Sequence, residues 1–295
     1  MDEIETKTAE RPGLPLTFGG VAAYSRAGLS QCVFRFAAWA AVCAVLWVWS
    51  IDRAWLPAVE LALGKLPERA SFHAGRLAWH TPHPIVLAND HFLSLIVNPG
   101  DEATVDRTAD IQIELGSLEV RCRSFLGWIY LPFPATLEGD FGRDTALPWW
   151  GAWKPSLLAV LALMIGFTML LSWIVVGTLC TGPALMIARI LGKPATVPQV
   201  WRTCVAALLP GEGLVTLAVV SYACNRISML LLLVFWAGHW LVGWIYLIGG
   251  ISSFAKGPTP PKVVTGSNPF DKTGGYSPDG TGKNPFRTPP EPDKH

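Results

Sequence analysis

Two ionisable residues, Glu212 and His239, each lie near the middle of a long apolar segment of this 295-residue chain. Glu212 is the one formal charge between residues 203 and 225, and His239 interrupts the apolar run 227–255. A charged side chain at the centre of a bilayer costs about 3 kcal/mol unless it is paired or neutralised. The short connection at residues 225–226 predicts an antiparallel helix hairpin, on which groups at equal depth meet. We therefore predict that Glu212 and His239 interact, directly or through a water molecule.

Several roles for this pair are open at the level of sequence. A structural hydrogen bond, or a glutamic acid that stays protonated, would serve only the fold, whereas proton handling, ion handling or ligand binding would be a function. Pro210, Gly211 and Gly213 predict a break in the helix beside Glu212, because proline removes a backbone hydrogen bond and glycine leaves room for a neighbouring backbone or water. If that break lay near a membrane surface, Glu212 would be in contact with water instead.

Signatures of soluble catalysis are missing from the sequence. It has no GxSxG, no HExxH, no P-loop and no GxGxxG motif. A metal site built from His80, His83 and Asp90 would match no strong zinc spacing, and there is no CxxC pair. We therefore expect a protein that is not an enzyme, with no catalytic residues, no metal and no cofactor.

The composition is that of a membrane protein. Hydrophobic residues make up 51% of the chain and charged residues only 15%, whereas soluble domains carry about 25% charged residues. The net charge of +1 provides no basic field for nucleic acid. A spanning helix needs about 20 mainly apolar residues. The segments 29–52, 157–180, 203–225 and 227–255 satisfy this and predict four transmembrane helices.

The second apolar run needs a division, because residues 155–188 hold no formal charge but are too few for two spans. Thr181, Gly182 and Pro183 are a typical helix-breaking sequence. We predict a span over 157–180 and a short interfacial helix near 183–191. Residues 155–255 then form a three-helix transmembrane bundle, and 29–52 is an uncleaved anchor, since Ile51-Asp52-Arg53 is a poor signal-peptide cleavage site.

Basic residues near the apolar segments set the expected orientation. Seven lie on one side and only Arg226 lies in the short loop on the other. The seven are Arg26, Arg35, Arg189, Lys193, Arg202, Lys256 and Lys262. This bias predicts that both termini are cytoplasmic, in a multi-pass protein of a bacterial inner membrane, and that residues 53–150 are extracytoplasmic. Tryptophans fall where an interfacial aromatic belt would: Trp47, Trp49, Trp55, Trp149, Trp150 and Trp153.

The segment 53–150 is predicted to be a small β-rich α+β domain. Residues 54–66 have helical spacing, and short runs rich in β-formers follow. Ile111, Ile113 and Leu115 alternate with polar residues, and a second alternating run follows Gly116-Ser117. This pattern is typical of an antiparallel hairpin with one buried face.

Both ends of the chain look flexible in sequence, over residues 1–28 and 256–295. Residues 257–295 hold nine proline and six glycine residues and few large apolar ones, a composition typical of disorder. The tail carries the tripeptide Asn268-Pro269-Phe270 again as Asn284-Pro285-Phe286. A phenylalanine in a proline-bounded turn is a candidate peptide anchor for a partner.

The segment order resembles that of uncharacterised bacterial multi-span membrane proteins related to the Yip1 group. The resemblance lies in Gly192-Lys193-Pro194 and in the run from Val197 to Arg202, which lead into Leu208-Leu209-Pro210, and in the turn at residues 96–100. It implies a membrane location and no particular reaction.

We expect an integral membrane protein whose extracytoplasmic domain binds or senses something or assembles a complex. Its partners would be the lipid bilayer and other membrane or extracytoplasmic proteins, not nucleic acid. The alternative is a transporter or ion- or proton-conducting component that uses Glu212 and His239. A membrane-embedded enzyme is a third class, for which the sequence offers no nucleophile and base.

Overall fold

A computed structural model describes residues 14–79, 83–100 and 109–255 of the chain. Within these residues, four helical segments are long and apolar enough to cross a membrane by length and composition. The same residues hold eight strands in two sheets. The sequence prediction of long apolar helices together with a β-containing domain is therefore confirmed.

The described residues form two short and four long α-helices. In chain order they are α1 (Phe18–Ala23), α2 (Leu29–Ala54), α3 (Leu56–Gly64), α4 (Arg143–Ile190), α5 (Val197–Ala223) and α6 (Met229–Ser252). Helix α5 begins with a capping box, in which the Thr196 and Gln199 side chains each satisfy a backbone N–H of the other. Ser228 caps α6 by accepting from Leu231 N. Between α5 and α6 the chain reverses at Asn225, which has a positive φ of 57°. Asparagine adopts this left-handed conformation more readily than most residues.

Helix α5 is the centre of the bundle. In its most apolar stretch of 18 residues, 61% of the residues are buried, compared with 11% in the corresponding stretches of α4 and α6. It packs against α2, α4 and α6. Glycines permit close approach: a Cβ added to Gly177 of α4 would lie 2.5 Å from Val205 Cγ2 of α5. Small residues of this kind are what bring apolar helices together.

Helix α4 differs from the sequence prediction. The expected break at residues 181–183 and the separate interfacial helix at 183–191 are wrong, because α4 continues through Pro183 to Ile190. Thr181 donates its hydroxyl to the Gly177 carbonyl at 2.7 Å, and Ala184 and Ala188 are buried in the bundle core. Packing of this last stretch outweighs the one backbone hydrogen bond that proline removes. The helix also begins at Arg143, so the β-containing part ends before residue 150.

Residues 14–28 contribute side chains to the bundle core, so the prediction of flexibility is wrong for them. Val21 of α1 is fully buried, and Tyr24, in the 3-10 turn that follows, is 1% exposed. Two glycines of α6 make room for this segment. A Cβ on Gly250 would lie 2.9 Å from Val21 Cγ1, and one on Gly249 would meet the Phe18 ring.

The strands lie between α3 and α4 in the chain. They are β1 (Ser71–His73), β2 (Arg76–Ala78), β3 (Ile85–Asn89), β4 (Leu93–Val97), β5 (Ile111–Leu115), β6 (Glu119–Ser124), β7 (Gly127–Pro132) and β8 (Gly139–Asp140). One sheet has the order β2-β1-β8 and the other β3-β4-β5-β6-β7. The predicted hairpin is confirmed, since β5 and β6 pair antiparallel. Strands β4 and β5 pair in parallel.

The five-stranded sheet buries both faces of β5. Ile111, Ile113 and Leu115 pack toward the apolar core that includes Ala58 and Ala62 of α3. The intervening Gln112 and Glu114 are buried on the opposite face, at 3% and 0% exposure. The alternating sequence pattern predicted that the face with Ile111, Ile113 and Leu115 is buried. The face with Gln112 and Glu114 is buried as well.

Candidate functional site

Glu212 lies on α5, on the side of the helix that approaches α2. It is partly buried. One turn further along α5, buried Thr216 accepts a hydrogen bond from Trp47 Nε1 of α2 at 3.1 Å. Residues four apart share a helix face. Glu212 therefore lies on the face of α5 that meets α2.

The facing surface of α2 is a stripe of three side chains with a spacing of four residues: Trp39, Cys43 and Trp47. The Trp39 ring lies against Gly213, where an added Cβ would be 3.1 Å from Cζ2. Its Nε1 is buried and has no hydrogen-bond partner in residues 14–79, 83–100 and 109–255. This regular spacing was present in the sequence, and it is the signal that would have identified α2 as the neighbour of Glu212.

His239 is close to Glu212 along the bundle but is engaged elsewhere. Its ring Nδ1 hydrogen-bonds the carbonyl of Trp236 in its own helix. The ring lies between Trp236 and Trp240, with centroid distances of 6.3 and 5.0 Å. Among the described residues, no hydrogen bond or ion pair joins Glu212 to His239. The sequence placed them correctly on neighbouring helices, but the structure does not bring their side chains together as a bonded pair.

The residues predicted to break the helix have another role. Helix α5 is continuous through Pro210, Gly211 and Gly213, so the predicted break is wrong. In apolar surroundings the helical backbone keeps its internal hydrogen bonds because nothing else satisfies them. Gly211 instead permits contact with α6: an added Cβ would lie 2.7 Å from the His239 carbonyl oxygen. The glycine is needed for helix approach.

A second polar cluster joins the β-containing part to the end of α5. The Tyr222 hydroxyl donates to Asp110 Oδ2 at 2.8 Å, and His91 Nε2 lies 3.9 Å from the same oxygen. The Tyr222 ring also meets Phe92 edge to face, with centroids 5.0 Å apart. Asp90 shapes the loop by accepting from the Phe92 and Leu93 amides. The sheet is therefore attached to the helix by both a hydrogen bond and an aromatic contact.

A third cluster closes the same end of the bundle around Lys154 of α4. Its Nζ lies 2.8 Å from Asp52 of α2 and 2.8 Å from Glu60 of α3. Trp150 Nε1 also donates to Glu60 at 3.4 Å. The three side chains are 27% to 47% exposed, so solvent screens their attraction.

The buried face of the large sheet holds polar groups that the sequence did not single out. Asn98 Nδ2 donates to Glu114 Oε1 at 2.8 Å, and the Arg121 guanidinium lies 3.4 Å from that oxygen. Glu114 Oε2 has no hydrogen-bond partner among the residues that the structure describes. Within the same residues, both amide atoms of the neighbouring Gln112 and the hydroxyl of Ser94 are likewise buried without a partner. Buried polar groups are normally satisfied, so this cluster calls for an explanation.

In the described part of the chain, no group of three His, Cys, Asp or Glu side chains is placed to hold a metal ion. His80 lies outside the described residues, as do both copies of the tail motif, Asn268-Pro269-Phe270 and Asn284-Pro285-Phe286. The roles predicted for those motifs stay predictions.

Comparison with known proteins matches no family model, no curated protein and no solved structure. The resemblance to the Yip1 group stays a prediction from its motifs.

Proposed function

We propose that this chain is a non-enzymatic integral protein of a bacterial inner membrane, with both termini in the cytoplasm. Its β domain, formed by the strands between α3 and α4, is extracytoplasmic and serves as a binding, sensing or complex-assembly module. Its partners are the lipid bilayer and membrane or extracytoplasmic proteins, and nucleic acid is not among them.

The hydrogen bond between Tyr222 and Asp110 is the observation that carries this proposal. It joins Asp110, which immediately precedes the central strand β5, to the end of α5, the most buried of the long helices. Lys154 links α4 to α2 and α3 at the same end. A domain attached in this way can transmit the binding of a partner to the helices, because movement of the sheet displaces the end of α5.

The polar face of the large sheet supports a binding role over a purely structural one. A scaffold gains nothing from an unpaired buried amide, which costs about 1–3 kcal/mol. Gln112 and Ser94 keep such groups side by side, as register partners on β5 and β4. Polar groups left unsatisfied in the protein alone are what a bound partner would satisfy.

Photo-cross-linking in native membranes tests the binding role. A benzoylphenylalanine at Tyr130, on the exposed edge strand β7, is expected to give a discrete adduct that mass spectrometry identifies as lipid or protein. The same residue at exposed Glu138, outside the large sheet, is the matched control. Equal yields from the two positions, or no adduct from Tyr130, would contradict the proposal.

A conducting component that uses Glu212 is the second candidate. The observation in its favour is the partly buried position of Glu212 on the face of α5 that meets α2, one turn from the hydrogen bond between Trp47 and Thr216. It requires a revised partner, because the His239 ring bonds its own helix. The binding module explains more of the unpaired polar groups and is preferred.

A further inference from the structure

A cleft of about 470 Å³ lies where the large sheet meets the start of α6. The beginning of β5, the end of β6 and the first turn of α6 line it, with Gln112, Arg123 and Phe125 on one side and Ser228 and Met229 on the other. Ligand pockets typically measure about 300–1,000 Å³. The cleft is therefore large enough for a small ligand or a lipid headgroup.

The polar wall of the cleft includes a buried side chain with unmet hydrogen-bonding capacity. Gln112 is 3% exposed, and neither its amide nitrogen nor its amide oxygen has a partner in the described part of the chain. Its register neighbours on the same face are Ser94 of β4 and Arg123 of β6. An amide, a hydroxyl and a guanidinium in one row are suited to the oxygens of a phosphate group.

The charges in the cleft point to a zwitterion. Arg123 provides the cation, and its guanidinium carbon lies 5.5 Å from the centre of the Trp128 ring. Asp110 provides a carboxylate, whose Oδ2 accepts from Tyr222. A simple anion would be attracted by the first and repelled by the second. A group with a phosphate at one end and an amine at the other matches both.

The rim of the cleft is strongly apolar. The β6–β7 turn carries Phe125 and Leu126, which are 51% and 80% exposed. It lies beside Met229 and Leu230, where the apolar helix α6 begins. Trp128 and Tyr130 follow on β7, and such side chains prefer the membrane interface. In the proposed orientation, the turn lies at the level where the hydrocarbon begins.

We propose that this cleft binds the headgroup of a zwitterionic, amine-bearing phospholipid of the adjoining leaflet, with the Phe125–Leu126 turn inserted beside its acyl chains. The phosphate contacts Arg123 and Gln112, and the amine contacts Asp110. This proposal deepens the proposed function and rests on it, because it identifies the lipid surface as what the domain binds.

Native mass spectrometry of the full-length protein tests the assignment, with phosphatidylethanolamine and phosphatidylglycerol as the lipid probes. Retention of phosphatidylethanolamine is expected to exceed that of phosphatidylglycerol. Arg123→Gln and Gln112→Leu should each weaken it about tenfold, as expected for lost hydrogen bonds to a charged group. Arg76→Gln, in the small sheet, is the matched control and should retain lipid normally.

Gln112→Leu also separates lost binding from lost folding. It removes an unpaired buried amide, so the lipid-free variant is expected to be at least as thermally stable as wild type. Equal retention of both lipids, or unchanged retention in both cleft variants, would overturn the assignment. Binding of free phosphoethanolamine without retention of phosphatidylethanolamine would show a soluble ligand. A lipid-free dimer would show a second copy of the chain, and either result overturns the assignment.

Failure of the lipid assignment and failure of the proposed function give different experimental results. If the lipid assignment fails while Tyr130 still gives its adduct in native membranes, the binding module stands with another partner. If Tyr130 gives no adduct, the proposed function fails independently of the lipid measurement.

Discussion

Tyr222 and Asp110, 112 residues apart in the chain, are joined by a hydrogen bond of 2.8 Å. The tyrosine closes the last turn of α5, and the aspartate immediately precedes β5. Since Phe92 packs on the same tyrosine ring, the contact remains in place even if the hydroxyl is removed. The attachment of sheet to helix can therefore be weakened without removing the packing around it.

Tyr222→Phe is expected to loosen the attachment by about 1.5–3 kcal/mol, the usual range for a hydrogen bond to a charged group. Hydrogen exchange in lipid nanodiscs should show faster exchange in residues 219–224 and in 91–93 together. Tyr246→Phe, which removes a hydrogen bond to the Leu16 carbonyl, is the matched control and should leave both segments unchanged. Faster exchange in the sheet alone would show that the sheet and α5 are not coupled.

Gly211→Ala is expected to destabilise the bundle by about 1–3 kcal/mol, because the new Cβ would press on the backbone of α6. The obstructing atom is the His239 carbonyl oxygen, which cannot move aside as a side chain can. Gly238→Ala is the control, since nothing lies within 4 Å of its Cβ position. Unfolding in mixed micelles measures both, and equal stability of the two variants would refute the close approach.

Lys154→Met is expected to lower the free energy of unfolding by at most about 1 kcal/mol, because the ion pairs of Lys154 are partly exposed. Raising the salt concentration should reduce the difference between wild type and variant, since salt screens exposed charges. Lys65→Met, at an exposed position after α3, is the control. A loss that is large and independent of salt would mean that the pairs with Asp52 and Glu60 are shielded from solvent.

Glu212→Gln distinguishes the binding module from the conducting component. In a binding module the variant should assemble normally, and neither it nor wild type should carry proton or ion current in proteoliposomes. His239→Gln, on the neighbouring helix, should behave in the same way. Current in wild type that Glu212→Gln abolishes would favour the conducting component instead.

The long apolar helices and the β5–β6 hairpin were predictable because each depends on local composition or alternation. The continuity of α4 through Pro183 was not, since the proline signal is local while the packing of Ala184 and Ala188 involves other helices. The burial of Val21 depends likewise on glycines of α6 more than 200 residues away.

The candidate site was predictable only in part. An isolated glutamate in an apolar run identified Glu212, but its neighbour depends on which face of α5 meets α2. Glu114 and Gln112 were missed because an alternating strand predicts that its polar residues face solvent. Their burial on the second face of the sheet is a tertiary feature, and β4 pairs there in parallel after a connection longer than a hairpin turn.

The long helices are proposed to span a membrane, with the β domain on the outer side. Labelling of intact cells with a membrane-impermeant maleimide tests it most directly, with one cysteine introduced at a time, at exposed Glu138 or at exposed Pro194. The background carries Cys122→Ser and Cys224→Ser, because these two thiols lie on the domain side of the chain. Labelling of Glu138→Cys but not of Pro194→Cys until the cells are permeabilised is the predicted result. Labelling of Pro194→Cys in intact cells, or protection of Glu138→Cys, would contradict the account.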